Sequence, residues 1–199
     1  MNPRSFDPGP LADVAHEVDA GRSTLVFVRR FGHSPARVWE ILTDADQLAQ
    51  WAPFEPDRDL GTPGPANLRM TDGNSTESFP AEVRRAVAPT TLEYTWGDDL
   101  LRWDLAPDTN GTRVTLRQTV KSPEWVPRVA AGWHLCTLVA DHLLDGNPIG
   151  RIVGRDAKKY GWDALNEAYA GKLGIEAKGW PDEAFPDDTG TERDMERRL

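Results

Sequence analysis

Histidine and cysteine are the side chains best suited to nucleophilic, acid–base or metal chemistry, and this chain has four of the first and one of the second. His134 and His142 are eight residues apart, so on a helix they would lie about two turns apart, too far to share a metal ion. The sequence contains no His-x-x-x-His or Cys–His cluster with the spacing of a zinc site. We therefore predict neither a metal site nor a bound cofactor.

His134 and Cys136 lie close together in a mostly apolar segment. A cysteine nucleophile needs a lowered pKa and a neighbouring base, and no such partner is indicated for Cys136. We interpret Cys136 as a small buried core residue. His134 would be a general base if it faced a pocket, but its place beside an inward Trp133 favours an exposed position. The sequence thus predicts no catalytic residue and favours a protein without enzymatic activity, while leaving an enzyme open.

Acidic pairs and polar residues within the strands are the remaining candidates. Asp98-Asp99 and Asp44/Asp46 have the placement of turn and helix-cap residues. Arg29 and Gln118 interrupt alternating apolar patterns and, if they point inward, would orient the polar end of a ligand. An ion pair or an edge position explains Arg29 equally well. The glycine-rich stretches match neither common phosphate-binding loop pattern, so no nucleotide site is indicated.

Aromatic residues offer the material for a binding pocket, since eight tryptophans are many for 199 residues. Flat apolar walls with a few polar groups are typical of small-molecule sites. The alternative is that the same side chains only fill the core. The predicted pocket residues come from the helix and strands described next: Trp51, Phe54, Trp96, Trp103, Gln118, Trp133, Cys136, Thr137 and Ala140.

Residues 127–144 are the stretch that must position these side chains. Val129, Trp133, Cys136, Ala140 and Leu144 recur at steps of four and three, which places them along one side of a helix. The stretch is long enough for about five helical turns. We expect the strands that precede it to curl around this helix.

The chain before that helix alternates between apolar and polar residues, as in an antiparallel sheet with one dry and one wet face. Ser34-Pro35 and Asp44 each predict the start of a short helix. Asn110-Gly111 is a strong hairpin turn signal. The predicted strands cover residues 23–31, 66–71, 78–87, 90–96, 101–105 and 112–120, and a last helix covers residues 155–173.

Charge and hydropathy exclude several functions. The formal net charge of −9 argues against broad attraction to nucleic acid or to an anionic membrane. The N-terminus lacks the apolar core of a signal peptide, and no apolar run approaches the roughly 18 residues of a membrane helix. A single cysteine excludes an intramolecular disulfide and agrees with a reducing compartment. We predict a cytoplasmic protein that binds neither nucleic acid nor membrane.

Three motifs resemble the START/Bet v 1-like superfamily, in the branch named after the activator of the heat-shock-protein-90 ATPase. The first is F-G-H-S-P-A-R-V-W at 31–39, with its aromatic, Pro and Val-Trp. The second is L-T-D-A-D-Q-L-A-Q-W at 42–51, with a Thr-Asp pair and a closing Trp. The third is A-G-W-H-L-C at 131–136, where a Gly-Trp pair opens the long helix. The resemblance covers about residues 22–145.

This resemblance implies an α+β helix-grip fold. A curved antiparallel sheet of about six or seven strands would wrap around the long C-terminal helix, with two short helices after the first strand. We expect a flexible arm over residues 1–21, in which residues 11–18 are suited to a short helix. A single domain would follow over 22–174, made of the core 22–145 and an additional helix. Residues 175–199 would form an acidic disordered tail, with Trp180 and Phe185 able to pin part of it.

The superfamily also implies a cavity between the long helix and the sheet. Thr137 and Ala140 depart from the larger residues that relatives often carry there, which leaves volume for a ligand or a different core packing. We expect binding of a small hydrophobic or aromatic molecule. A cyclase, dehydratase or hydrolase using the same cavity is one alternative, and a chaperone-linked interaction protein is another. A homodimer is left open.

Overall fold

The computed structural model describes residues 6–71 and 77–180 as one antiparallel sheet that curls around a long helix. The strand order is β1-β2-β8-β7-β6-β5-β4-β3, so β2 pairs with β8, the last strand in sequence, and β1 and β3 lie at the two ends of the order. The α+β helix-grip prediction is confirmed, with eight strands in the described chain instead of six or seven. The strands are β1 (Asp13–Asp19), β2 (Arg22–Phe31), β3 (Phe54–Pro56), β4 (Gly64–Met70), β5 (Ser78–Val87), β6 (Thr91–Trp96), β7 (Asp99–Asp108) and β8 (Gly111–Val120).

Two short helices, α1 (Pro35–Thr43) and α2 (Ala45–Leu48), follow β2 as predicted. Ser34 caps α1 by accepting a hydrogen bond from the backbone N–H of Arg37, and Pro35 occupies the first turn. The Asp44 carboxylate accepts from the N–H of Gln47 and caps α2. Both starts therefore follow from local capping chemistry.

Two of the eight strands, β1 and β3, lie outside the six predicted ranges, and β1 lies where a helix within a loose arm was predicted. That prediction is wrong for Asp13–Asp19, which pair with β2 in an antiparallel ladder. The turn between the strands is Ala20-Gly21, and both residues have positive φ, 47° and 80°. Such a turn matches the twist of a hairpin, but alanine rarely adopts it, so the sequence carries little sign of it.

The long helix α3 (Trp125–Leu144) crosses the concave face of the sheet and starts two residues before its predicted limit. Apolar side chains of β2, β7 and β8 point toward it, among them Phe27, Trp103 and Leu116. Phe27 and Trp103 both pair with Leu116 across neighbouring strands, which places the three on one face of the sheet. The core therefore lies between this face and α3. No helix in the described ranges is long and apolar enough to cross a membrane.

The segment after α3 forms a 3₁₀ helix (Gly154–Tyr160) and the helix α4 (Trp162–Leu173), where one continuous helix was predicted. Gly161 separates the two with φ 88°, a left-handed conformation that ends the first helix. Residues 175–180 continue along α4: Asn166 donates to the Lys178 carbonyl at 2.9 Å, and Trp180 packs against Trp162. The first residues of the predicted tail are thus docked. Residues 181–199, with Phe185, and the turn at 72–74 lie outside the described residues.

Candidate functional site

An aromatic cluster occupies the space between the middle of α3 and the sheet. The Trp133 ring lies 5.1 Å from that of Trp103 and 6.3 Å from that of Trp51, measured between centroids. Trp96 lies 6.2 Å from Trp133 and 5.3 Å from Phe54. These rings pack mostly edge to face, the geometry that aromatic quadrupoles favour. The region in which a pocket was predicted is therefore filled in its centre.

The polar edges of the buried indoles are satisfied within the protein. Trp51 donates its N–H to the Ile41 carbonyl at 2.9 Å, and Trp103 donates to the Tyr94 hydroxyl at 3.2 Å. Trp51, Trp103 and Phe54 are almost completely buried. These three side chains are core residues, because their rings are buried and the two indole N–H groups have acceptors.

Thr137 and Ala140, whose small side chains were expected to leave space, are also packed inside. The Thr137 hydroxyl donates to the Trp133 carbonyl at 2.6 Å, one turn back along α3. Both residues are at most 2% exposed. Their surroundings agree with the alternative of a different core packing, and neither residue belongs to the lining of the cavity described next.

A cavity of about 310 Å³ opens beside Trp133, between α3, the sheet and the segment that follows α3. Four of the nine predicted pocket residues line it: Trp96, Gln118, Trp133 and Cys136. Helix α3 adds Trp125, Val129 and Gly132, and Pro53 closes one edge. The volume lies at the low end of the range of about 300–1,000 Å³ that is usual for ligand sites.

The opposite wall of the cavity belongs to the segment after α3. Trp162 and Ala157 are buried there, and Trp180 is half-buried with its ring 4.6 Å from that of Trp162. Sequence reasoning missed this wall, because nothing in the chain indicates where the last helix returns. The residues of this wall are Ile152, Val153, Gly154, Ala157, Trp162 and Trp180.

Polar groups enter the cavity wall as a chain of two hydrogen bonds. Trp133 donates its indole N–H to Oε1 of Gln118 at 2.6 Å. Gln118 in turn donates from Nε2 to Oδ2 of Asp99 at 3.1 Å. An indole nitrogen can only donate, so Oε1 of Gln118 must face Trp133 and Nε2 must face Asp99. The series of hydrogen bonds therefore ends at the Asp99 carboxylate.

Asp99 is a site residue that the sequence interpretation assigned only to a turn. It is the first residue of β7, directly after the turn at Gly97-Asp98, and its half-buried side chain lines the cavity. Burial raises the pKa of Asp99, and the Asp98 charge adds to this effect, while the Gln118 hydrogen bond and the charge of Arg22 oppose it. A carboxylate kept beside an apolar wall is a common mark of a functional site.

His134 is fully buried, so the prediction that it is exposed is wrong. Its Nδ1 lies 2.7 Å from the Tyr169 hydroxyl, and its Nε2 lies 2.8 Å from the Pro8 carbonyl oxygen. The carbonyl can only accept, so Nε2 carries the proton and Nδ1 accepts from Tyr169. The same hydroxyl accepts from the N–H of Ala12. His134 therefore joins α3, α4 and the N-terminal segment, and it lies outside the cavity wall.

The burial of Cys136 and the ion pair of Arg29 favour structural roles for these two residues. Burial raises the pKa of the Cys136 thiol to about 12, so the thiol stays protonated and is a poor nucleophile. Arg29 lies 4.0 Å from Asp141 on α3, which confirms the ion-pair interpretation of this residue. Among the described residues, no group of three or more His, Cys, Asp or Glu side chains is arranged to hold a metal ion.

Comparison with solved structures finds the same fold in several bacterial proteins. A conserved protein of unknown function from Enterococcus faecalis superposes with a TM-score of 0.63 at 17% identity, over 80% of this chain and 90% of that one. CalU16 from Micromonospora echinospora gives 0.58 at 16%, over 84% and 97%. The AHSA1 protein from Silicibacter pomeroyi gives 0.54 at 20%, over 61% and 97%. These likenesses show the fold.

A search of curated proteins found no match. A family model, described as Activator of Hsp90 ATPase homolog 1-like protein, matches residues 32–139, more than half of the chain. The match includes the two short helices, the sheet from β3 to β8 and most of α3, and it ends before the second wall of the cavity. The chain belongs to the family of Activator of Hsp90 ATPase homolog 1-like proteins.

Proposed function

We propose that this protein binds a small hydrophobic or aromatic molecule in the cavity between α3, the edge of β6–β8 and the segment after α3. The observation that carries the proposal is the cavity itself, about 310 Å³ with five tryptophans among its described lining residues. An apolar ligand there would gain about 25 cal/mol for each square ångström of apolar surface removed from water.

The composition of the wall supports selective binding beyond simple burial. Indole rings give rigid flat surfaces at a low cost in conformational entropy. One amide and one carboxylate, Gln118 and Asp99, interrupt an otherwise apolar lining. A few fixed polar groups in an apolar cavity are what orients a ligand in known small-molecule sites.

The described groups favour binding over chemistry. His134 has both ring nitrogens in hydrogen bonds away from the cavity, and the pKa of the Cys136 thiol is near 12. An acid–base or nucleophilic mechanism needs groups that can exchange protons with a bound substrate. In the described lining, Asp99 is the group that best meets this condition, and its contacts suit recognition equally well.

Native mass spectrometry of the protein purified from its own host tests the proposal. We expect a fraction of the protein to carry an added mass that organic extraction removes. Ligand-observed NMR with a library of small aromatic and alicyclic compounds should then identify binders that compete with the extracted molecule. No added mass together with no binder from the library would contradict the proposed function.

A further inference from the structure

We propose that the ligand of this cavity is an amine: a molecule with a small apolar or aromatic body and one protonated nitrogen that binds Asp99. This inference rests on the proposed function and adds the chemical class of the ligand. It follows from the direction of the hydrogen bonds in the wall, from the charge of the lining and from its indole rings.

The two described hydrogen bonds between side chains of the wall both run toward Asp99. The Trp133 N–H is taken by Gln118, and a Gln118 N–H is taken by Asp99. The Gln118 amide is 3% exposed, so it offers little surface to a ligand, whereas Asp99 is half-buried at the cavity. The accessible end of this series of hydrogen bonds is thus an acceptor, the Asp99 carboxylate. A ligand group that contacts it must be a donor.

The charge of the lining favours a cation as that donor. Asp99 is the one charged side chain among the described lining residues. A carboxylate in an apolar wall without a cation on the cavity side is costly to keep ionised. A ligand ammonium would supply the missing partner, and a hydrogen bond between charged groups is roughly twice as strong as one between neutral groups.

The tryptophans of the wall point to the same ligand. Trp96, Trp125, Trp133, Trp162 and Trp180 line the cavity together with Asp99. The face of an indole attracts cations through its quadrupole, and desolvated sites strengthen this attraction. A carboxylate with several indoles is therefore a setting that accepts an ammonium and repels a carboxylate ligand.

Arg22 and Lys121 are the nearby cations that would compete with such a ligand, because both line a second hollow that includes Asp99. Lys121 is exposed, directly after β8. The charge of Arg22 opposes the rise in the pKa of Asp99, but its guanidinium donates to the backbone carbonyl of Asp98 at 3.0 Å, on the exposed side of the turn. Asp98 itself is exposed and adds a second negative charge beside the first. The cavity side of Asp99 is thus left for the ligand.

Two matched pairs of compounds test the inference by isothermal titration calorimetry: phenethylamine with 2-phenylethanol, and 4-phenylbutylamine with 4-phenylbutan-1-ol. Within each pair the apolar body is the same and only the charged donor changes. We expect the wild-type protein to bind the better amine at least about tenfold more tightly than its alcohol. Asp99→Asn should remove that difference by weakening the amine, whereas Asp46→Asn, which removes an exposed carboxylate of α2 outside the cavity lining, should preserve it.

Equal binding of amine and alcohol by the wild-type protein would overturn the inference and leave the proposed function standing. Binding of neither amine would overturn it as well, and the co-purification experiment then decides the proposed function independently. An amine preference that survives Asp99→Asn would place the recognition elsewhere and also contradict the inference. The wild-type comparison needs no variant, so it holds even if a substitution impairs folding.

Discussion

Trp133 on helix α3 donates its indole N–H to Oε1 of Gln118 on strand β8 at 2.6 Å, and both side chains are at most 3% exposed. One hydrogen bond thus joins the helix to the sheet at the border between the filled aromatic cluster and the cavity. Gln118 also donates to Asp99, so its amide fixes two neighbours at once. This geometry makes the amide a positioning group for the cavity wall.

Gln118→Leu should destabilise the protein, because it leaves the buried Trp133 N–H without its acceptor. We expect the free energy of unfolding in urea to fall by about 1–3 kcal/mol. Gln50→Leu is the matched control: Gln50 is exposed on the surface, and its replacement should change stability by no more than about 0.5 kcal/mol. Equal effects of the two substitutions would show that the Trp133–Gln118 bond contributes nothing.

Asp99→Asn should leave the fold as stable as the wild type or make it more stable at neutral pH. The raised pKa of Asp99 means that the folded protein binds a proton more readily than the unfolded chain, so ionisation of this group opposes folding above its ordinary pKa. Asparagine removes the charge, and its Oδ1 can still accept the Gln118 hydrogen bond. A large loss in urea unfolding experiments would indicate a structural role for the carboxylate in place of a ligand-binding one.

The buried His134 should make the protein less stable below neutral pH. Its pKa is lowered, chiefly by burial and also by the charge of Arg29, while the Pro8 carbonyl has the opposite effect. The unfolded chain therefore binds the proton first, near the ordinary pKa of 6.5. The contribution of the neutral, buried His134 to the free energy of unfolding is therefore fully present above that pH. It is lost as the pH decreases toward the lowered pKa of the folded state.

Urea unfolding between pH 8 and pH 5 measures this dependence. His134→Gln should flatten the decrease below pH 6.5, since it removes the titrating group, although it also lowers stability throughout. Gln50→Leu, which removes no titrating group, should keep the wild-type slope. The explanation fails if both variants retain the same slope as the wild type.

Local chemistry made much of the fold predictable. Ser34, Pro35 and Asp44 specify the starts of α1 and α2 through capping, and the two-residue period of β8 identifies Val114, Leu116 and Gln118 as inward. The missed strand β1 depends on a turn in which Ala20 takes an unusual positive φ. The apolar pattern of β1 by itself suits a weak helix. The strand forms because its backbone pairs with β2 in an antiparallel ladder.

The candidate site was less predictable because it depends on contacts between distant segments. Asp99 and Gln118 meet because β7 and β8 pair Leu101 with Gln118, which places Asp99 two residues along on the same face. Spacing in the sequence does not reveal that register. His134 and Tyr169 meet only because α4 returns beside α3. The size of the cavity likewise depends on how the tryptophan rings pack, which composition does not determine.

Gly132 offers the most direct test of the claim that the cavity binds a ligand. It lies on α3 in the cavity lining, and a Cβ added there would meet no atom within 4 Å. Gly132→Leu should fill the cavity while raising helix propensity by up to about 1 kcal/mol. Gly171→Leu is the control, since Gly171 is an exposed glycine of α4 with equally open surroundings.

The decisive measurement is the affinity of the best library binder for the wild type and these two variants, with the free energy of unfolding measured alongside. We predict that Gly132→Leu is at least as stable as the wild type and binds at least about tenfold more weakly, while Gly171→Leu binds like the wild type. Undiminished affinity in a folded Gly132→Leu protein would contradict binding in this cavity.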